Sequence, residues 1–161
     1  FSKLTESGQM LTIILMLIGG SPGSTAGGMK TTTLAVLTAT AVSVFRRNEN
    51  PELFKRRIAP ETVANAASIL MMYLSLCLTG AFLISRIEEL PMMACMFETA
   101  SAVGTVGLSF GITPGLGSIS RIILIILMYL GRVGGLTLIY AALSGHRIRF
   151  GKYPLEKITV G

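Results

Sequence analysis

Eight residues in the second half of the chain, Gly104-Thr105-Val106-Gly107-Leu108-Ser109-Phe110-Gly111, carry no charge, so what they offer chemically is hydroxyls and backbone carbonyls. Glycine lets a backbone turn its carbonyls toward an axis, where they can replace the water shell of a cation. The stretch just before it, residues 91–103, would be about 20 Å long as a helix, too short to cross a bilayer. Pro91 in its first turn and the glycines at its end predict a re-entrant pore helix over 91–103. The carboxyl end of such a helix carries about half a negative charge, aimed at the same place. Thr105, Val106, Gly107 and Leu108 are therefore the candidate ion ligands. Glu98, on the pore helix, reads as a hydrogen-bonding anchor behind them rather than as a ligand. The plainer alternative is a glycine-rich outer turn that packs two helices.

A second constellation, Gly19-Gly20-Ser21-Pro22-Gly23-Ser24-Thr25-Ala26-Gly27-Gly28, has five glycines and a proline in ten residues. No helix persists through that composition. It interrupts residues 7–45, whose sole charge is Lys30 and which would otherwise make about 58 Å of helix. The sequence thus predicts two half-helices, 4–18 and 29–45, joined by unwound backbone at membrane depth, which is tolerated only against protein or a water-filled path. A phosphate-loop reading fails by one residue, because Met29 displaces the lysine that must follow the second glycine. Helix packing through the Gly23-x-x-x-Gly27 spacing would explain two glycines but not five. Arg132, deep in the last apolar stretch, is costly there unless it faces protein or water. Its candidate partners are carbonyls of the unwound loop or Glu98.

The elements that must position these groups follow from composition. Of 161 residues, 51% are hydrophobic and 14% charged, and the mean hydropathy is +0.67. Residues 7–29, 62–85 and 99–120 are free of charge, and each run is long enough to cross about 30 Å of hydrocarbon. A water-soluble enzyme, a nucleic-acid module and a disordered tail are excluded together, although the net charge of +6 would otherwise suit nucleic acid. Spanning helices are expected over 62–85 and 118–144, with the pore helix and the filter stretch 104–111 between them. The basic connection 46–61 and the tail 145–161 hold the positive charge and are expected in the cytoplasm. Cys77 and Cys95 read as small core hydrophobes, and His146 has no metal-ligand companions. Opening on Phe1, with no signal-peptide pattern and an apolar run after six residues, the chain reads as a segment of a longer protein. The fold class expected is an all-α integral membrane protein, with one complete helix–pore helix–helix repeat (62–144) and the broken second helix of a preceding one (1–45).

Thr105-Val106-Gly107-Leu108-Ser109 resembles the Thr-Val-Gly-Tyr-Gly filter of potassium channels with the last two positions changed. With Ile18 to Thr33 and Gly131-Arg132-Val133-Gly134, it resembles the Trk/Ktr/HKT superfamily of potassium transporters, closest to the Ktr-type, NtpJ-like pore subunit. The resemblance covers essentially the whole chain, and its end, Lys157-Ile158-Thr159-Val160-Gly161, looks like a native C-terminus. It implies four covalently joined repeats around one axis, of which this chain would hold the last and the end of the third. It further implies that Gly107 is a filter glycine, that residues 19–28 form an intramembrane gating loop, and that Arg132 helps hold the path closed or repels ions in the cavity. The implied function is potassium uptake across the plasma membrane, with Na⁺ as the coupling ion common in that branch. No catalysis, organic cofactor or metal beyond the transported K⁺ is implied. The implied partners are a second pore subunit and a cytoplasmic ring of nucleotide-binding regulatory subunits, meeting 46–57 and 145–161. Two rivals are a homotetrameric cation channel with one repeat per chain, and a secondary transporter with its substrate site between the half-helices.

Overall fold

The computed structural model describes residues 5–47, 51–54 and 56–134. Its elements, in order, are α1 (Glu6–Leu17), α2 (Thr31–Phe45), β1 (Glu52–Leu53), β2 (Arg56–Arg57), α3 (Pro60–Glu88), α4 (Met92–Gly104), a single 3₁₀ turn (Thr113–Gly115) and α5 (Ser118–Val133). The Thr5 hydroxyl caps α1 by accepting from the Gly8 N–H at 3.3 Å, and Glu6 in the first turn complements the helix dipole. At about 18 and 22 Å, α1 and α2 each reach only part-way through a bilayer. The break between them is closed at its neck. Ile18 and Met29 form a parallel bridge, in which Gly19 N–H donates to the Met29 carbonyl at 2.6 Å and Met29 N–H to that of Leu17 at 3.1 Å.

Among the described residues, α3 is the one helix long and apolar enough to cross a membrane, with a mean hydropathy of 2.0 over its most apolar 18 residues. It begins two residues before the expected 62–85, because Pro60 is suited to the first helical turn and Glu61 favours it. It also runs three residues further, through Arg86, Ile87 and Glu88, until Glu89 turns left-handed at φ 53°. Charged residues end the apolar run without ending the helix, since water at a membrane surface solvates their heads while the backbone ladder continues.

Helix α4 is the centre of the fold and packs against α1, α3 and α5. From Phe97 to Gly104 every residue is buried. Small residues allow this. A Cβ on Gly131 of α5 would stand 2.0 Å from the Val103 carbonyl oxygen, and one on Gly104 would stand 2.3 Å from that of Met16. The backbones of α5 and α1 therefore touch α4 directly. The outer surface is the reverse of a water-soluble protein: Leu11, Leu15, Met71, Phe82, Ile119 and Ile125 are among the large apolar side chains that lie exposed.

Within the basic connection 46–61, β1 and β2 pair antiparallel with Glu52 opposite Arg57 and Leu53 opposite Arg56, around Phe54 at φ 50°. One expectation is corrected. The last helix does not continue unbroken through 118–144: Gly134 takes φ 88° and ψ 138°, outside any helix, and only glycine adopts that region freely. Residues 135–144 and the tail 145–161, with its expected cytoplasmic position, lie outside the described residues.

Gly131→Ala in the intact protein should cost about 1–3 kcal/mol, the usual range for an added methyl where no room exists. Gly115→Ala meets nothing within 4 Å and should change stability by less than about 0.5 kcal/mol. Thermal unfolding of the detergent-solubilised protein measures both, and equal melting temperatures for the two variants would contradict the α4/α5 contact.

Candidate functional site

At the C-terminal end of α4 the chain turns sharply. Thr105 N–H donates to the Ala102 carbonyl at 3.1 Å, and Val106 N–H to that of Ser101 at 3.0 Å, so the helix is properly closed. Thr105 is left-handed at φ 53°, a conformation rarely held by a β-branched residue, and Gly107 follows at φ 82°. Val106 between them is 44% exposed, and a Cβ on Gly107 would meet nothing within 4 Å. All four candidate ligands thus lie in one short non-helical segment. Thr105 and Leu108 line an open groove on each side of it. One, of about 480 Å³, runs past Glu98, Gly107 and Arg132; the other, of about 510 Å³, runs past Thr12, Met16, Gly19, Gly20 and Ala26.

The segment beyond is stapled back onto α4 by Glu98, which is 5% exposed. Its Oε1 accepts from the Ser109 hydroxyl at 2.6 Å and from Phe110 N–H at 3.0 Å, while Oε2 accepts from the Thr113 hydroxyl at 2.9 Å. The Phe110 ring rests on Phe97 with centroids 4.1 Å apart. Glu98 thus takes the anchoring position that its place on a short buried helix suggests. A net hydrogen bond is worth about 0.5–1.5 kcal/mol, so the three together fix the path of 109–113.

On the other side lies the glycine-rich loop. Ser24 N–H donates to the Ser21 carbonyl at 2.9 Å across Pro22 and Gly23, the latter at φ 87°, which is the pattern of a type II turn. Residues 21–26 are exposed, whereas Gly27 and Gly28 are buried against the end of α4. Gly27 N–H donates to the Thr105 hydroxyl at 2.9 Å, and a Cβ on Gly28 would stand 3.4 Å from the Gly104 Cα. The Arg132 guanidinium donates to the Thr25 carbonyl oxygen. Of its two candidate partners the loop carbonyl is therefore the one bonded; Glu98 shares the groove but holds Ser109, Phe110 and Thr113.

Sequence reasoning gave Lys30 no role. Its ammonium donates to the Ser24 carbonyl at 3.1 Å and the Ala26 carbonyl at 2.7 Å, folding the loop back on the start of α2. The available signal was its isolation as the one charge between residues 7 and 45. Among the described residues no three His, Cys, Asp or Glu side chains are grouped as metal ligands.

The family described as TrkH, cation transport protein, matches residues 1–147. The chain belongs to the TrkH family. That family consists of membrane cation transport proteins, not enzymes. The potassium/sodium uptake protein NtpJ of Enterococcus hirae is 39% identical over 167 residues, covering all of this chain and 37% of that protein. The Ktr system potassium uptake protein B of Bacillus subtilis is 33% identical, covering all of this chain and 36% of its own. The protein of the same name from Vibrio alginolyticus is 34% identical, covering 99% of this chain and 35% of its own. The TrkH chain described here spans a little over a third of the length of these relatives.

Glu98→Gln keeps the shape of the anchor but turns an NH₂ group toward at least one of its three donors. The intact protein should lose about 1–3 kcal/mol of stability, as when a buried donor is left unpaired. A wild-type melting temperature in this variant would show that the staple is dispensable.

Proposed function

We propose that this chain supplies the last quarter of a potassium uptake pore together with the gate-bearing end of the quarter before it. On this reading α3, α4 and α5 are one helix–pore helix–helix repeat, and Thr105, Val106, Gly107 and Leu108 offer their carbonyls as one of four strands around a K⁺ ion. One observation carries it: a 13-residue buried helix ends on Thr105 and Gly107, both in left-handed conformations, with open space beside Gly107. The carboxyl end of α4 adds its partial negative charge at that point, and a ring of four such strands would exchange carbonyl oxygens for hydration water. The uptake functions carried in the names of the relatives from Enterococcus and Bacillus agree with this.

The loop 19–28 is the gate. It lies against the inner end of 105–108 and is held there by Gly27 on Thr105, by Lys30 on Ser24 and Ala26, and by Arg132 on Thr25. These contacts are few, polar and removable one by one, unlike a packed core. The protein spans the plasma membrane several times with 46–61 and 145–161 in the cytoplasm, where their basic residues belong. Na⁺ is the second ion, in keeping with the potassium/sodium name of the Enterococcus relative. The pore subunit works as a dimer on a cytoplasmic nucleotide-binding ring, with the basic connection and tail as contacts. The relatives named for a Ktr system support the multi-component part of this reading.

K⁺ uptake by the intact protein in cells lacking their own uptake systems, with and without external Na⁺, tests the proposal. Gly107→Ser places a side chain at φ 82°, a penalty of about 1–2 kcal/mol for any L-residue, so the half-saturating K⁺ concentration should rise about tenfold. Unchanged affinity in correctly inserted protein would refute the filter assignment. Deleting residues 21–26 should raise maximal uptake several-fold, because the exposed part of the loop is removed while the Ile18/Met29 neck remains. Unaltered flux would make the loop a packing element instead.

A further inference from the structure

The loop is tied to three places, and one of the ties ends on a candidate ion ligand. Lys30 binds the loop to the start of α2, and Arg132 reaches it from α5. Gly27 N–H, by contrast, donates to the side-chain oxygen of Thr105, 78 residues away and first of the four candidate ligands. The approach is so close that only glycine permits it, since a Cβ on Gly27 would stand 2.4 Å from that oxygen and 2.7 Å from the Thr105 methyl. Thr105 holds its hydroxyl there from a left-handed backbone at φ 53°, which a β-branched residue keeps only when its surroundings impose it.

Resting on the reading of 105–108 as ion ligands, we infer that the Thr105 hydroxyl is a shared oxygen that couples K⁺ occupancy of the innermost ion level to attachment of the gate loop. A hydroxyl oxygen has two acceptor lone pairs, and Gly27 N–H uses one of them. A K⁺ ion taking the other draws electron density out of the oxygen and repels the positive end of the N–H dipole, so the Gly27 bond weakens. The reverse holds by thermodynamic reciprocity: an attached loop lowers the affinity of the innermost level for K⁺ by the same factor. Ion arrival therefore loosens the loop, and loop release strengthens ion binding. Thr105 is a positioning residue for the loop as well as a ligand. This differs from the Arg132 and Lys30 ties, which end on carbonyls of the loop itself.

Hydrogen–deuterium exchange of the peptide covering residues 19–28, in the intact detergent-solubilised protein, tests the coupling directly, because it reads protection of the Gly27 amide without requiring transport. With N-methylglucamine as the only cation, the wild-type peptide should be protected, and replacing it by K⁺ should speed exchange about fivefold, as expected for one net hydrogen bond. Thr105→Val keeps the shape without the acceptor. Its peptide should exchange about fivefold faster in N-methylglucamine and no longer respond to K⁺. Thr105→Ser retains the hydroxyl and should restore both the protection and the K⁺ response, which separates lost hydrogen bonding from disturbed packing. Wild-type exchange in Thr105→Val would overturn the inference, and so would a K⁺ response that survives in it. If uptake is normal and Gly107→Ser weakens it while exchange ignores K⁺, the coupling falls and the filter reading stands. Uptake affinity indifferent to Gly107→Ser removes the filter reading itself.

Discussion

A backbone that leaves the helical state away from water must find partners for its N–H and C=O groups, and the arrangement of this chain follows from how that is met for residues 18–30. The neck uses backbone alone, Gly19 to Met29 and Met29 to Leu17. The tip uses its own turn, Ser24 to Ser21, and three further carbonyls are taken by two cations, Lys30 on Ser24 and Ala26 and Arg132 on Thr25. Residues 21–26 are exposed, so these two side chains hold the loop in one shape against α2 and α5 rather than satisfy buried groups. These ties are polar contacts of single side chains with loop carbonyls rather than an interdigitated surface.

The second constraint is distance. For the loop to reach Thr105, and for Arg132 to reach the loop, α1 and α5 must lie directly on α4. That is achieved by removing side chains: Gly104 lies under the Met16 carbonyl, Gly131 under that of Val103, and Gly80 of α3 under Leu127. Apolar bulk is displaced to the outside, where Ile119, Ile122 and Ile125 of α5 lie exposed. In lipid such a surface carries no penalty, and association of helices rests on close packing through small residues. Polar cross-links then fix the register of the helices, as in Tyr73 to the Gly131 carbonyl at 3.4 Å and Glu88 accepting from Gly117 N–H and Ser120 at the start of α5.

Much of this was legible in the residues. The uncharged runs announce apolar helices, the decade of glycines and proline dictates two half-helices rather than one, and Pro91 with Gly104 brackets a helix too short to span. Glu98 on that short helix reads as an anchor, and its three hydrogen bonds are of that kind. The hairpin at Glu52–Leu53 and Arg56–Arg57 was not legible, because two-residue strands give no alternation to read and Phe54 is no usual left-handed residue. The end of α5 at Val133 was missed for a related reason: within an apolar run a glycine is also an ordinary packing residue, and only its φ of 88° shows that Gly134 breaks the helix.

By itself the sequence determined what is local: where the chain must be helical, where it cannot be, and that Arg132 is costly in lipid unless it faces protein or water. Those are properties of a residue and its near neighbours, namely propensity, the cost of charge in hydrocarbon and the reach of a helix of given length. The tertiary structure alone decided the pairings, Gly27 with Thr105, Thr25 with Arg132, and Lys30 with Ser24 and Ala26. The reason is that the loop's partner groups in these contacts are backbone amides and carbonyls, which nearly every residue carries in identical form. An arginine in a sequence therefore names a need for an acceptor but not the acceptor, and only packing of α1 and α5 against α4 selects one carbonyl from all the rest.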